Sequence, residues 1–317
     1  MSSSGSLSPP NGNFASFGFV IDEEYVRIYE STHPQINQEG GRRDEDVVEE
    51  NLRTMNADQR CIFNNVIGYL DTGDESGRFI FIDGPGGSGK TFLYNTIIRK
   101  CRMMGKKYFS LAWTGIAASL LIDGMTSHSK LGLPLQIDET TVIKTCRGTK
   151  KFEELRQVDI IIWDEFTLVP HRVLDALDRA LRDVTGINRI FGGKLLLAGG
   201  DFRQCLPVLK NGHRSAIVEN CVKSSPLWNR VEYVSLTHNI RARDDPDFAA
   251  WLLQIGNGDV DRLHVPPQCS VDKRTMIDDL YGRAIYLGDE TQFTGNCILC
   301  PTNDDTLKIN EEILDLT

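Results

Sequence analysis

Along this chain the hydrophobic and polar positions change rhythm several times, and each change marks an element. "TMNADQRCIFNNVIGYL" places Ile62, Val66 and Leu70 at helical spacing behind Asn56, a good helix cap, so a helix is predicted there. Short unbroken apolar runs then alternate with longer amphipathic stretches. They read as strand "RFIFID", helix "KTFLYNTIIRKCRMM", strand "KKYFSLAW", helix near "GIAASLL", strand "VDIIIWD", helix "HRVLDALDRALRDV" and strand "GKLLLAGG". A run without a polar face is a strand covered on both sides, and strands separated by helices imply right-handed crossovers. The predicted fold class is therefore α/β, a parallel sheet covered by helices. Past "YVSLTHNIRA" the rhythm loosens. "DPDFAAWLLQIGNG" reads as a helix closed by Gly256, and "CILCPTNDDTLKINEEIL" as strand, turn and helix start, the beginning of a second α/β unit.

Composition adds limits to this picture. Residues 1–50 are rich in Ser, Gly, Pro, Asn and charge and are expected to form a poorly ordered leader. Within them "FASFGFVIDEEYVRIY" would add a helix or strand, and "DEDVVEE" reads as a solvated linker or a helix start. The 317 residues, 40% of them hydrophobic, suffice for a sizeable core and more than one domain. No apolar run approaches the roughly 18–20 residues of a membrane span, and the first residues lack a basic region followed by an apolar stretch. An intracellular protein without membrane partners is expected. Eight scattered cysteines fit a reducing compartment. Cys297-Ile-Leu-Cys300 has no second ligand pair and reads as a strand stopped by Pro301 rather than half a zinc site. The net charge of −9 argues against nucleic-acid binding by bulk electrostatics, though not against a local groove.

Candidate chemistry begins where "RFIFID" runs into "GPGGSGKT", which satisfies G-x-x-x-x-G-K-[ST] between a strand and a helix. Gly84, Pro85, Gly86, Gly87, Ser88 and Gly89 would bring backbone N–H groups onto phosphate; Lys90 would place a charge on the β- and γ-phosphates, and Thr91 would ligate Mg²⁺. At the end of "DIIIWDE", Asp164 is assigned to the metal and Glu165 to the attacking water, with a helix cap as the bland alternative. In "AGGDFRQCLPVL", Gln204 stands just past a strand, where it could bond the γ-phosphate or the water; Asp201 and Arg203 could instead pair with each other. Thr114, Thr126, His128 and Ser129 offer polar groups and a ring for phosphate oxygens and bases, although a lone histidine is more often structural. Arg241 is a candidate arginine finger or a surface salt bridge.

Taken in order, "MNADQ", "GPGGSGKT", "TGIAASLLIDGMTSHS", "IIIWDE", "FGGKLLLAGGDFRQCLPV" and "LTHNIRA" resemble the petite-integration-frequency family of superfamily 1 DNA helicases, in the versions carried by Helitron transposons. The resemblance covers roughly residues 52–317. It implies RecA-like lobes with ATP between them and 5′ to 3′ translocation on single-stranded DNA or a forked duplex. Over this chain it implies lobe one at 51–235 and an incomplete start of lobe two at 236–317. It further implies that Gln59 contacts adenine, that Lys90, Glu165, Gln204 and Arg241 are catalytic, and that Thr114, Thr126 and His128 touch DNA. ATP and Mg²⁺ are the implied cofactors. A monomer in the nucleus or mitochondrion is implied, with tasks in DNA repair, recombination and telomere maintenance. "FTLV" after "WDE" departs from the family's small residue and Met, a change expected to affect packing. No "T-x-H-K-x-Q-G"-like or "Y-V-A-x-S-R"-like segment follows, so impaired unwinding is expected. A nucleotide-dependent switch that never unwinds DNA, or a non-functional transposon remnant, stays open as an alternative.

Overall fold

Two compact units make up the computed structural model, which describes residues 42–73, 77–204, 206–209, 212–259, 262, 265–289 and 291–316. Described residues up to 259 belong to the first unit and those beyond to the second. In chain order the first unit contains α1 (Asp44–Thr54), α2 (Ala57–Thr72), β1 (Arg78–Asp83), α3 (Lys90–Met103), β2 (Tyr108–Ala112), α4 (Gly115–Ser119) and β3 (Met125–Thr126). It continues with α5 (Ser127–Leu131), α6 (Lys150–Gln157), β4 (Ile160–Asp164), α7 (His171–Thr185), β5 (Leu195–Gly200), α8 (Arg214–Asn220), β6 (Val231–Ser235) and α9 (Pro246–Asn257).

The six strands form one sheet in the order β3-β2-β4-β5-β1-β6. Every pairing is parallel, so all strands end at the same edge. The α/β fold expected from the apolar runs is present. Because side chains alternate across a strand, each run feeds two cores. Phe79, Phe81, Ile161, Trp163 and Leu196 pack with Leu174, Leu177 and Leu181 of α7. Ile80, Ile82, Ile160, Ile162 and Leu197 pack on the other face with Ile62, Phe63 and Val66 of α2 and Leu93 and Ile97 of α3. Each such fully buried side chain contributes roughly 1.5–3 kcal/mol. Phe166 fills the first core edge-on to Phe79 and Trp163, with ring centroids 5.9 and 5.3 Å away.

Several expectations are corrected. Of the leader expected over residues 1–50, residues 1–41 lie outside the described residues, "FASFGFVIDEEYVRIY" included. Asp44–Thr54 is helical, the helix start rather than the solvated linker among the two readings of "DEDVVEE", because Val47 and Val48 are buried and Asp44 accepts from Arg99 of α3 at 2.5 Å. α9 runs through Gly256 and is closed by Gly258, which takes the left-handed cap at φ 77°. The second unit holds α10 (Lys273–Leu287), α11 (Thr291–Gly295) and α12 (Asn303–Leu314), and no strand among its described residues. The predicted strand "CILC" does not form. With no strand to pair with among the described residues of this unit, Leu299 is left 90% exposed. The helix start after it is present, with Thr302 capping α12 through Asp305 N. No helix among the described residues is long and apolar enough to cross a membrane.

Candidate functional site

β1 delivers the chain to the carboxyl edge of the sheet, where Gly84–Gly89 turn it into α3. Gly87 and Gly89 have φ of 85° and 82°, a region costly for any side chain. Gly87 is also crowded. A Cβ there would lie 2.6 Å from Arg241 Cβ and 2.8 Å from Asn239 Oδ1. α3 begins at Gly89 with no side-chain cap, so its first amides face the loop without an internal acceptor, the arrangement that binds phosphate. Lys90 Nζ donates to Gly84 O at 2.5 Å, folding its charge over the loop. Ser88 Oγ is buried with no partner among the described residues, and Thr91 is half-buried one residue past Lys90.

Gln59 is buried against this loop. It completes a capping box with Asn56, Oε1 accepting from Asn56 N at 3.2 Å, while Nε2 donates to Ser88 O at 3.2 Å. The amide expected to contact adenine therefore braces the phosphate loop.

Asp164 closes β4, two strands from β1, and is 5% exposed. Burial pushes its carboxyl up to about 6; the Glu165 charge adds to this, whereas the bond from Glu165 N and the charge of Lys90 pull it down. Glu165 sits in the left-handed region at φ 52°, and its backbone N donates to Asp164 Oδ1 at 2.9 Å. A buried carboxylate that resists ionisation gains from a cation beside it. It and the Thr91 hydroxyl offer oxygen donors of the kind Mg²⁺ takes.

Past β5, Asp201 and Arg203 do pair, with Nη1 to Oδ1 at 2.9 Å. Gln204 is not left idle. Its Nε2 donates to Asp201 Oδ2 at 3.0 Å and lies 3.6 Å from the place of a Cβ on Gly86, so the amide faces the phosphate loop. Arg241 reaches the loop from the segment after β6, where Ile240 N donates to Gly87 O at 2.9 Å. Its side chain is exposed and has no salt bridge among the described residues. The structure thus brings Gln59, Lys90, Gln204 and Arg241 onto one loop, with Asp164 and Glu165 along the same edge.

Thr114, Thr126 and His128 stand apart from that loop, around the ends of β2 and β3. Thr114 Oγ1 caps α4 by accepting from Ala117 N at 3.3 Å, and Thr126 Oγ1 caps α5 through Ser129 N at 3.3 Å. The His128 ring lies 4.5 Å from that of Trp113, and burial lowers its pKa. Ile116 beside them is 80% exposed. The sequence reading missed Asp83, Asn239 and Asn257. Asp83 could have been found, because a charged residue ending a buried run is the same signal that marked Asp164.

A helix-covered parallel sheet with a phosphate loop after β1 and an acid pair after β4 defines a RecA-like phosphate-loop nucleotide-binding domain. A family model for PIF1-like helicases matches residues 54–265, and this chain belongs to that family. The ATP-dependent DNA helicase PIF1 of Emericella nidulans is 32% identical over 194 residues, 58% of this chain and 25% of that protein. The ATP-dependent DNA helicase Pif1 of Bdellovibrio bacteriovorus is 31% identical over 54% of this chain and 38% of its own length. The crystal structure of Pif1 helicase from Bacteroides in complex with ADP-AlF3 and ssDNA is 26% identical, with a TM-score of 0.59 over 80% of this chain and 56% of that one. This chain therefore spans about a quarter to two fifths of these curated relatives.

Proposed function

We propose that this chain binds and hydrolyses Mg·ATP as the first motor lobe of an ATP-dependent DNA helicase acting on single-stranded or forked DNA. The observation that carries this reading is the convergence of Lys90, Gln204 and Arg241 on one phosphate loop, with Asp164 and Glu165 on the same strand edge. Thr91 and Asp164 would hold Mg²⁺, which would supply charge neutralisation on the phosphate oxygens. Glu165 accepts the proton of the water that bonds to the γ-phosphorus as the bond to ADP breaks. Gln204 senses the γ-phosphate, Arg241 meets its charge, and Gln59, braced on the loop, contacts the adenine. Thr114, Thr126 and His128 line the DNA path, and residues from 236 on open a second lobe. The same proposal covers a monomeric working unit, a nuclear setting with the mitochondrion as the alternative, and tasks in DNA repair, recombination and telomere maintenance.

Lys90→Ala is expected to weaken Mg·ATP binding about 10- to 100-fold, the loss of one or two hydrogen bonds to a charged group. Unchanged affinity in a calorimetric titration would remove the assignment. A nucleotide-dependent switch without unwinding is the second reading, favoured by the use of both threonine hydroxyls as helix caps and by the net charge of −9. ATPase rates with and without single-stranded DNA separate the two, because only the motor is stimulated.

A further inference from the structure

Arg203 ties three elements together. Its Nη1 donates to Asp83 Oδ1 at 3.2 Å and to Asp201 Oδ1 at 2.9 Å, Nη2 to Asp83 Oδ2 at 3.1 Å, and Nε to Asn257 Oδ1 at 2.9 Å. Asp83 is the last residue of β1, directly before the phosphate loop; Asp201 follows β5; Asn257 ends α9. The methylene stem lies over Gly256, where a Cβ would come within 3.0 Å of Arg203 Cβ. A side chain at Gly256 would therefore crowd the arginine that passes across α9 there.

Both oxygens of Asp201 are engaged, Oδ1 by Arg203 and Oδ2 by Gln204 Nε2. Gln204 is exposed, so packing does little to orient its amide. Its direction toward Gly86 depends on a carboxylate that Arg203 holds in place. Asp83 and Asp201 are 7% and 4% exposed, and among the described residues Arg203 is the one cation bonded to both. A planar guanidinium can serve these partners together, which a point charge cannot.

We propose that Arg203 is a positioning residue for nucleotide sensing. Through Asp201 it sets Gln204 against the phosphate loop, and through Asn257 it makes that setting depend on the end of α9. The proposal rests on Gln204 acting as the γ-phosphate sensor.

The test is equilibrium titration of the full chain with fluorescent ATP and ADP in Mg²⁺, read as the ratio of the two affinities. Arg203→Ala is expected to reduce the preference for ATP about tenfold, a typical coupling between two sites, and to leave ADP affinity in place. Retained ADP binding also shows that the loop is folded. Arg203→Lys should recover part of the preference, and Asn257→Ala, which leaves both ion pairs standing, should lower it by less. In the double variant with Gln204→Ala, Arg203→Ala should cost nothing further. Equal loss of ATP and ADP affinity, or additive losses in the double variant, would reduce Arg203 to a scaffold and overturn the proposal. A wild-type preference that survives Arg203→Ala removes the proposal alone. A wild type with no preference removes the sensor reading and the proposal with it.

Discussion

Asp164 shows how a single residue can weaken a fold while preparing it for a ligand. Its carboxyl ordinarily titrates near 3.8 and is pushed up to about 6, chiefly by burial. The folded state therefore holds the proton more tightly than the unfolded chain. The stabilisation that follows is fully present below the unfolded value and is lost as pH rises through about 6. At neutral pH the ionised group destabilises the unliganded fold by roughly 2–3 kcal/mol for a shift of this size. Asp164→Asn is accordingly expected to raise the urea midpoint at pH 7 and to lose that advantage progressively as pH falls from 6 toward 4. The same variant should bind Mg·ATP more weakly, since the carboxylate that the metal would neutralise is gone. A midpoint that drops at pH 7, or does not change with pH, would contradict the burial account.

At the scale of elements, the phosphate loop is pressed between α2, through Gln59, and the segment after β6, through Asn239–Arg241. Gly87→Ala adds a methyl group 2.6 Å from Arg241 Cβ at a φ of 85°, so either the loop or the neighbouring segment must move. The expected result is a cost of about 1–3 kcal/mol in denaturant unfolding, with a larger fall in nucleotide affinity than in stability. Gly73→Ala, at φ 65° with open space around it, is the control for backbone strain without crowding. The strands around this loop were legible because β1, β4 and β5 are buried on both faces and leave unbroken apolar runs. The loop's partners were not. Asn239 and Arg241 meet Gly87 only after the sheet has brought β6 beside β1, and no local pattern encodes that approach. Gly256 misled for a related reason: its missing side chain answers to Arg203 from a distant segment, while Gly258 supplies the left-handed cap. "CILC" looked like a strand because it is apolar, yet a strand also needs a neighbour.

Across the whole molecule, 44 acidic residues outnumber 35 basic ones, so the general field repels a phosphate backbone. Around the ends of β2 and β3 the chain offers something else: the Trp113–His128 ring pair, a histidine whose pKa burial lowers, and an Ile116 that is 80% exposed. In the proposed function this surface holds single-stranded DNA by base contact more than by charge. Log affinity for a short oligonucleotide should then fall with log salt at a slope of magnitude below about 3, equivalent to roughly four phosphates at 0.7 each. Ile116→Ser, at a position that contributes little to the core, is expected to weaken binding about tenfold, the worth of one apolar side chain removed from a contact. Its salt slope should match that of the wild type, because no charge is altered. A steep slope that is insensitive to Ile116→Ser would mean that local basic groups, rather than this ring and apolar surface, hold the strand, and the acidic balance of the chain would then tell little about how it meets DNA.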